Sequence, residues 1–217
     1  MPQLLESFEP YHEGWMKIWS FIFFLMTAPA AAASITVEGV TFSDERGDFT
    51  LRSVTGTGSI ADPFVVVEDI TGREPTLVIR FLDDHFGNRI GTQYPIGAAF
   101  IKVAINHSGM TWYGYRLEPR KVLTQPSSDS DGLSFAQGWR TRPSVVSNGF
   151  RHVRIIDQPY DAINFDDGRI EENHAVSFTF VLTNTLPSST FPSSTIFLLQ
   201  QPETVTACGW PRPATVC

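Results

Sequence analysis

From Val176 to Thr183, apolar and hydroxyl side chains take turns: Val176, Phe178, Phe180 and Leu182 fall on one side, Ser177, Thr179 and Thr183 on the other. Side chains on a strand repeat every two residues, so the spacing predicts a β-strand packed on one face and wet on the other, as in a one-sided antiparallel sheet. Only Val181 breaks the polar face. Together with the preceding acidic turns, Asp166-Asp167-Gly168 and Glu171-Glu172-Asn173-His174, it is read as a hairpin over Asn164–Thr185.

The same alternation recurs along the chain. It predicts strands over Ile35–Phe42, Phe49–Thr55, Pro63–Ile70, Thr76–Leu82, Ala98–Asn106, Tyr113–Leu123, Arg151–Asp157 and Ile196–Leu199, with Gly, Pro or Asp between them. Phe64-Val65-Val66-Val67 is apolar on both faces and is expected to be central. Ala98–Asn106 and Tyr113–Leu123 read as a hairpin around His107–Thr111. Two long irregular stretches, Asp83–Gly97 and Gln125–Gly149, are expected to cross the surface, and long loops in compact domains tend to carry function. No helix-length amphipathic segment interrupts this rhythm. With roughly nine or ten strands, more than a minimal seven-stranded module, the expected fold is all-β: an antiparallel, immunoglobulin-like β-sandwich over residues 34–200, followed by a Pro-rich tail at 201–217.

The N-terminus changes the setting. Met16-Lys17 precedes the apolar run Ile18–Met26, and Ala31 and Ala33 supply small residues at the positions before Ser34. This is the pattern of a signal peptide over residues 1–33, cleaved before Ser34. Glu6, Glu9 and Glu13 lie where a basic region is needed, so Met16 is the expected true start. The apolar stretch from Ile18 runs about sixteen residues and contains a proline, short of the roughly 20 that span a bilayer. Cleavage would therefore leave no stable membrane span, and the expected location is periplasmic or extracellular.

Cleavage would also remove three Glu and one Lys, taking the formal charge from −7 to −5. No basic run remains to neutralise phosphates, which disfavours nucleic acid as a partner. Cys208 and Cys217 are the only cysteines. In an oxidising compartment they could close a short ring, worth at most roughly 2 to 3 kcal/mol.

Candidate chemistry is sparse. Asp83, Asp84 and His85 stand together on the first long loop, where a carboxylate could hold a histidine tautomer; with Tyr94 and Trp139 they form the candidate ligand-binding set. Calcium needs six or more oxygens, and Asp129-Ser130-Asp131-Gly132 supplies the start of such a loop without its terminal Glu, so Asp129 and Asp131 are the candidate metal ligands. No other cofactor is indicated. Gly56–Ser59 leads into Pro63 and a strand rather than a helix, which reads as a turn and not a phosphate cradle. Gly132-Leu133-Ser134-Phe135-Ala136 lacks the closing glycine of a nucleophile elbow. Alternation directs Trp112 and one of its neighbouring tyrosines, Tyr113 or Tyr115, into the core.

The Asn164–Thr185 stretch resembles the penultimate hairpin of immunoglobulin-like modules in bacterial surface proteins, with Glu171–His174 where those modules often carry Pro-Gly. More broadly, Gly56-Thr57-Gly58 before Asp62-Pro63-Phe64, Phe86–Thr92, and Phe197-Leu198-Leu199-Gln200-Gln201-Pro202 resemble uncharacterised secreted proteins of proteobacteria. That resemblance implies an exported β-sandwich and brings no activity with it. The expected function is a non-catalytic envelope or extracellular binding or structural module, its partner an unknown protein or polysaccharide. The alternative is a secreted carbohydrate-binding module or hydrolase using the 83–97 loop and nearby aromatics.

Overall fold

Glu38 and Gly39 both take positive φ, 50° and 75°, and fold Ser34–Val37 (β1) back onto Val40–Ser43 (β2). Two left-handed residues in succession match the twist of paired strands, so the turn costs the alternation nothing. The single strand expected over Ile35–Phe42 is therefore a hairpin. The computed structural model describes residues 32–81, 87–92, 95–135, 144–185 and 195–204. Tyr94, Trp139, Asp83, Asp84, His85, Cys208 and Cys217 lie outside that set, as does nearly all of the proposed signal segment.

The remaining strands are Phe49–Thr55 (β3), Phe64–Ile70 (β4), Thr76–Phe81 (β5), Ile96–Asn106 (β6), Gly114–Arg120 (β7), Leu133–Ser134 (β8), Val146–Ser147 (β9), Phe150–Ile156 (β10), Ala162–Gly168 (β11), Ala175–Asn184 (β12) and Thr195–Glu203 (β13). The described residues contain no α-helix, only a 3-10 turn at Asp129–Asp131. The strands form two sheets and not a barrel. One runs β1-β2-β5-β13-β7-β11-β10; the other runs β3-β4-β6-β12-β8, with β9 also on β12. β4, flanked by β3 and β6, is interior as its apolar run predicts.

Three expectations about pairing are corrected. The second sheet is mixed rather than antiparallel, because β4 pairs with β6 in parallel, Phe64 opposite Phe100 through Ile70 opposite Asn106. β5 lies between them in sequence but belongs to the other sheet, so the chain re-enters the second sheet in its original direction. Nor are 98–106 and 113–123 a hairpin: β6 pairs with β4 and β12, and β7 with β11 and β13. Likewise β11 and β12 sit in different sheets, so Asn164–Thr185 is a crossover.

The two crossovers pair with each other. Trp112 and Ile170 form an antiparallel bridge, each amide donating to the other's carbonyl at 2.9 Å. Asn106, fully buried, holds this corner. Its Nδ2 donates to the carbonyls of Met110 (2.7 Å) and Ile170 (3.2 Å), and its Oδ1 accepts from the Ser108 amide (3.1 Å) and hydroxyl (2.7 Å).

The core lies between the sheets. Val176, Phe178, Phe180 and Leu182 are all buried there, and Phe178 meets Tyr115 at 4.5 Å, Phe165 at 4.7 Å and Phe150 at 6.1 Å between ring centroids, all three from the opposite sheet. The outer face of β12 is less wet than the alternation implies. Val181 packs with Ile90 and Ala99 in a separate buried cluster, and Thr183 is buried against β8, its hydroxyl donating to the Ser134 carbonyl at 3.1 Å. The one apolar interruption of the polar face thus marks where the 87–92 segment covers it.

Candidate functional site

Of the residues singled out by sequence, Asp131 is described in full, and it builds a turn. Its Oδ2 accepts from the Ser127 hydroxyl at 2.5 Å, its Oδ1 from the Leu133 amide at 2.8 Å, and its carbonyl from Lys121 Nζ. Gly132 follows with φ 79°, the left-handed conformation that glycine adopts at least cost. Asp129 contributes backbone to the same turn. Among the described residues no group of three or more His, Cys, Asp or Glu is placed to hold a metal ion.

Trp112 and Tyr115 are buried, as alternation directs, with ring centroids 5.5 Å apart. Beside the first long loop, Arg89 secures the 87–92 segment: its guanidinium donates to the carbonyls of Thr57 (2.6 Å) and Glu38 (2.7 Å) and lies 5.4 Å from the Phe64 ring centroid.

The most chemically distinctive group was not anticipated. Alternation through Phe64, Val66, Glu68 and Ile70 turns Glu68 inward from β4; through Phe100, Lys102 and Ala104 it turns Lys102 inward from β6. Across the core, Tyr115 on β7 and Gln200 on β13 face the same space. All four are buried. Lys102 Nζ lies 2.5 Å from Glu68 Oε2. Gln200 Nε2 donates to that same oxygen at 2.8 Å, and the Tyr115 hydroxyl donates to Gln200 Oε1 at 2.8 Å. A continuous polar chain, Lys102–Glu68–Gln200–Tyr115, therefore joins the two sheets through an apolar interior. Glu68 Oε1 has no hydrogen-bond partner among the described residues.

Burial sets the electrostatics of this chain. It pushes the Lys102 ammonium below its ordinary range, against the opposing pull of Glu68, because a charge in a poorly polarisable interior is costly. It raises the Tyr115 phenol well above its ordinary value, with the Glu68 carboxylate adding to the effect, so Tyr115 stays a hydrogen-bond donor. The arrangement offers an amine, a carboxylate touching both that amine and an amide nitrogen, and a donor on the amide oxygen. The signal for it was in the same alternation that located the strands: each charged or amide residue occupies a core-facing position between apolar ones.

The surface offers less. A recess of about 550 Å³ is lined by Arg46, Asp48, Glu74, Thr76, Arg120 and Gln201, among others. Near it Glu118 is held by Arg120 at 2.7 Å and by Arg116 at 3.3 Å. A second recess is lined by Ser128, Ser130, Gln158 and Pro159. Neither carries an aromatic platform or a convergent catalytic set among its described residues. No family model, curated protein or solved structure matches this chain.

Proposed function

We propose that this chain is an exported, immunoglobulin-like β-sandwich acting as a non-catalytic envelope or extracellular binding or structural module. The observation that carries the reading is where its aromatics go. Trp112 and Tyr115, the residues a sugar-stacking surface would present, are spent on the core, and the polar chain beneath them ties one sheet to the other. With those two rings inside the fold, sugar stacking by this pair is disfavoured, which supports the structural or binding module, its partner a protein or polysaccharide, over the carbohydrate module. Export rests on the Lys17–Ser34 pattern. The alternative, a carbohydrate-binding module or hydrolase, keeps Asp83, Asp84, His85, Tyr94 and Trp139 as its residues and loses Tyr115 to the interior.

Fractionation of the producing cell with N-terminal sequencing tests the proposal. A product beginning near Ser34 in the periplasm or medium is expected, and an intact Met1 in the cytoplasm would sink it. Affinity electrophoresis through soluble polysaccharides separates the two readings: retardation abolished by Trp139→Ala favours the carbohydrate module.

A further inference from the structure

The recess on the outer face of the seven-stranded sheet is walled by side chains whose bonds are spent. Its floor is β13, where Leu199 and Gln201 turn outward, alternating with the buried Leu198 and Gln200. On the β5 side two turns close it, and Asp48 staples them together. Its Oδ2 accepts from the Glu74 amide at 3.1 Å, and its carbonyl accepts from the Thr71 and Gly72 amides, each at 2.9 Å. A Cβ on Gly72 would come within 2.1 Å of the Asp48 carboxyl carbon, so the staple needs glycine there. On the β7 side Arg120 draws in the segment that follows it, Nη1 donating to the Leu123 carbonyl at 2.7 Å while Nε stays on Glu118.

The lining keeps its chemistry in reserve. Arg46 and Glu74 stand on the two stapled turns, both exposed, yet among the described residues their side chains make no hydrogen bond or ion pair. Arg46 follows Glu45, but both arms of Arg80 already hold that carboxylate. The side chains of Thr124 and Gln201 are likewise uncommitted among the described residues, and Leu123 and Leu199 add apolar surface. The volume, about 550 Å³, lies within the roughly 300 to 1,000 Å³ of ligand pockets, room for a few side chains rather than a folded surface. A neutral polysaccharide would leave both free charges idle. A polyanion would meet Glu74 and Asp48, and a polycation would meet Arg46 and Arg120. A ligand with one charge of each sign around an apolar group uses everything the lining offers.

We propose that this recess binds an extended peptide segment of a protein partner, with a basic side chain on Glu74, an acidic one on Arg46 and an apolar one between them on Leu199. Side chains at alternate positions of an extended chain share a face, so basic, apolar and acidic residues spaced two apart reach the recess together. Each exposed ion pair strengthens binding by about five-fold at most and is screened by salt, so a short segment binds weakly and reversibly. The proposal rests on the binding-module reading and takes the protein from its two partner classes.

Nuclear magnetic resonance titration of the purified full chain at low salt decides it, with four end-blocked pentapeptides as probes: Lys-Thr-Leu-Thr-Asp, Asp-Thr-Leu-Thr-Asp, Lys-Thr-Leu-Thr-Lys and the neutral Gln-Thr-Leu-Thr-Asn. The mixed-charge peptide is expected to move the Thr124, Leu199 and Gln201 amide resonances saturably and to bind more tightly than the other three. Glu74→Lys should reverse the order, losing the mixed-charge peptide and favouring the doubly acidic one, and Arg46→Glu should favour the doubly basic one. Both side chains are exposed and unbonded among the described residues, so these variants are expected to keep the fold.

A wild-type chain that none of the peptides shifts at millimolar concentration overturns the proposal, and needs no variant to fold. So does a neutral peptide that binds as tightly as the mixed-charge one, or a preference that Glu74→Lys leaves unchanged. A soluble neutral glucan that moves the same resonances while the peptides do not assigns the recess to polysaccharide, which overturns the proposal and leaves the binding-module reading standing. Failure of export shows separately, as an intact Met1 in the cytoplasm, and does not alter the titration.

Discussion

Glu68 and Lys102 illustrate how one inward-facing polar residue creates an obligation for others. Alone in the core, either would carry an uncompensated charge, a situation costing about 3 to 5 kcal/mol when one member of a buried pair is deleted. Lys102→Met should therefore lower unfolding stability by about that amount in urea titration, while adding Glu68→Leu should recover a large part of it. A double variant as unstable as the sum of the singles would mean the two residues act independently. At the surface the stakes are smaller. Arg80 grips Glu45 with both arms, Nη1 to Oε2 at 2.8 Å and Nη2 to Oε1 at 2.5 Å, and these hydrogen bonds hold the Glu45 carboxyl below its ordinary range. Because the folded-state value is the lower one, the contribution is complete above the unfolded value and is lost as pH falls through the folded one. At this exposure it is no more than about 1 kcal/mol. Comparing wild type with Glu45→Gln by thermal melting from neutral pH into the acid range should show the difference between them shrinking as pH drops.

At the scale of elements, alternation located nearly every strand but not its partner. Period-two spacing records which face of a strand is buried, and it is indifferent to which sheet does the burying. That is why Ala98–Asn106 and Tyr113–Leu123 read as a hairpin, and why Asn164–Thr185 did too, although each pair spans both sheets. The missing information sits in the corner: Asn106 donates to the backbone carbonyls of Met110 and of Ile170, the latter also bonded to the Trp112 amide, so it makes two distant crossovers mutually dependent. In the sequence it is one asparagine at a strand end, indistinguishable from a turn former. The candidate centre was hidden differently, since Lys102, Glu68 and Gln200 are far apart in sequence and only their core-facing register unites them. Asn106→Leu should cost about 3 kcal/mol, the penalty of losing the four hydrogen bonds that this buried side chain makes to Met110, Ile170 and Ser108. Hydrogen exchange should then quicken at the Trp112 and Ile170 amides and not along the middle of β13. Arg89 plays a comparable part for 87–92. Its fork reaches two carbonyls from different turns while its plane lies by Phe64, and an ammonium has no such fork. Arg89→Lys should therefore destabilise measurably, by about 1 to 2 kcal/mol, though it preserves charge.

For the whole molecule, the proposed export meets the fold at a single peptide bond. Ala33, the last residue of the expected signal segment, already belongs to the described fold: its amide donates to Asp44 Oδ1 at 2.6 Å, and its carbonyl accepts from the Asp44 amide at 3.2 Å. Asp44 in turn accepts from the Leu51 amide at 3.0 Å through its other oxygen, so the carboxylate links the start of β1 to β3. A peptidase acting between Ala33 and Ser34 needs that backbone extended and accessible, whereas the folded chain holds it in paired hydrogen bonds. Cleavage at this point must therefore come before β1 docks, while the chain is still unfolded in transit. A chain beginning at Ser34 gives up the Ala33 bonds but keeps all four register pairs between β1 and β2. Its loss relative to a chain beginning at Ala32 should be small, about 1 kcal/mol, and its unfolding should remain a single cooperative transition. Thermal melts of the two purified chains make the comparison. If the Ser34 chain instead loses cooperativity, Ala33 is an essential part of the domain and the processing boundary must lie before it.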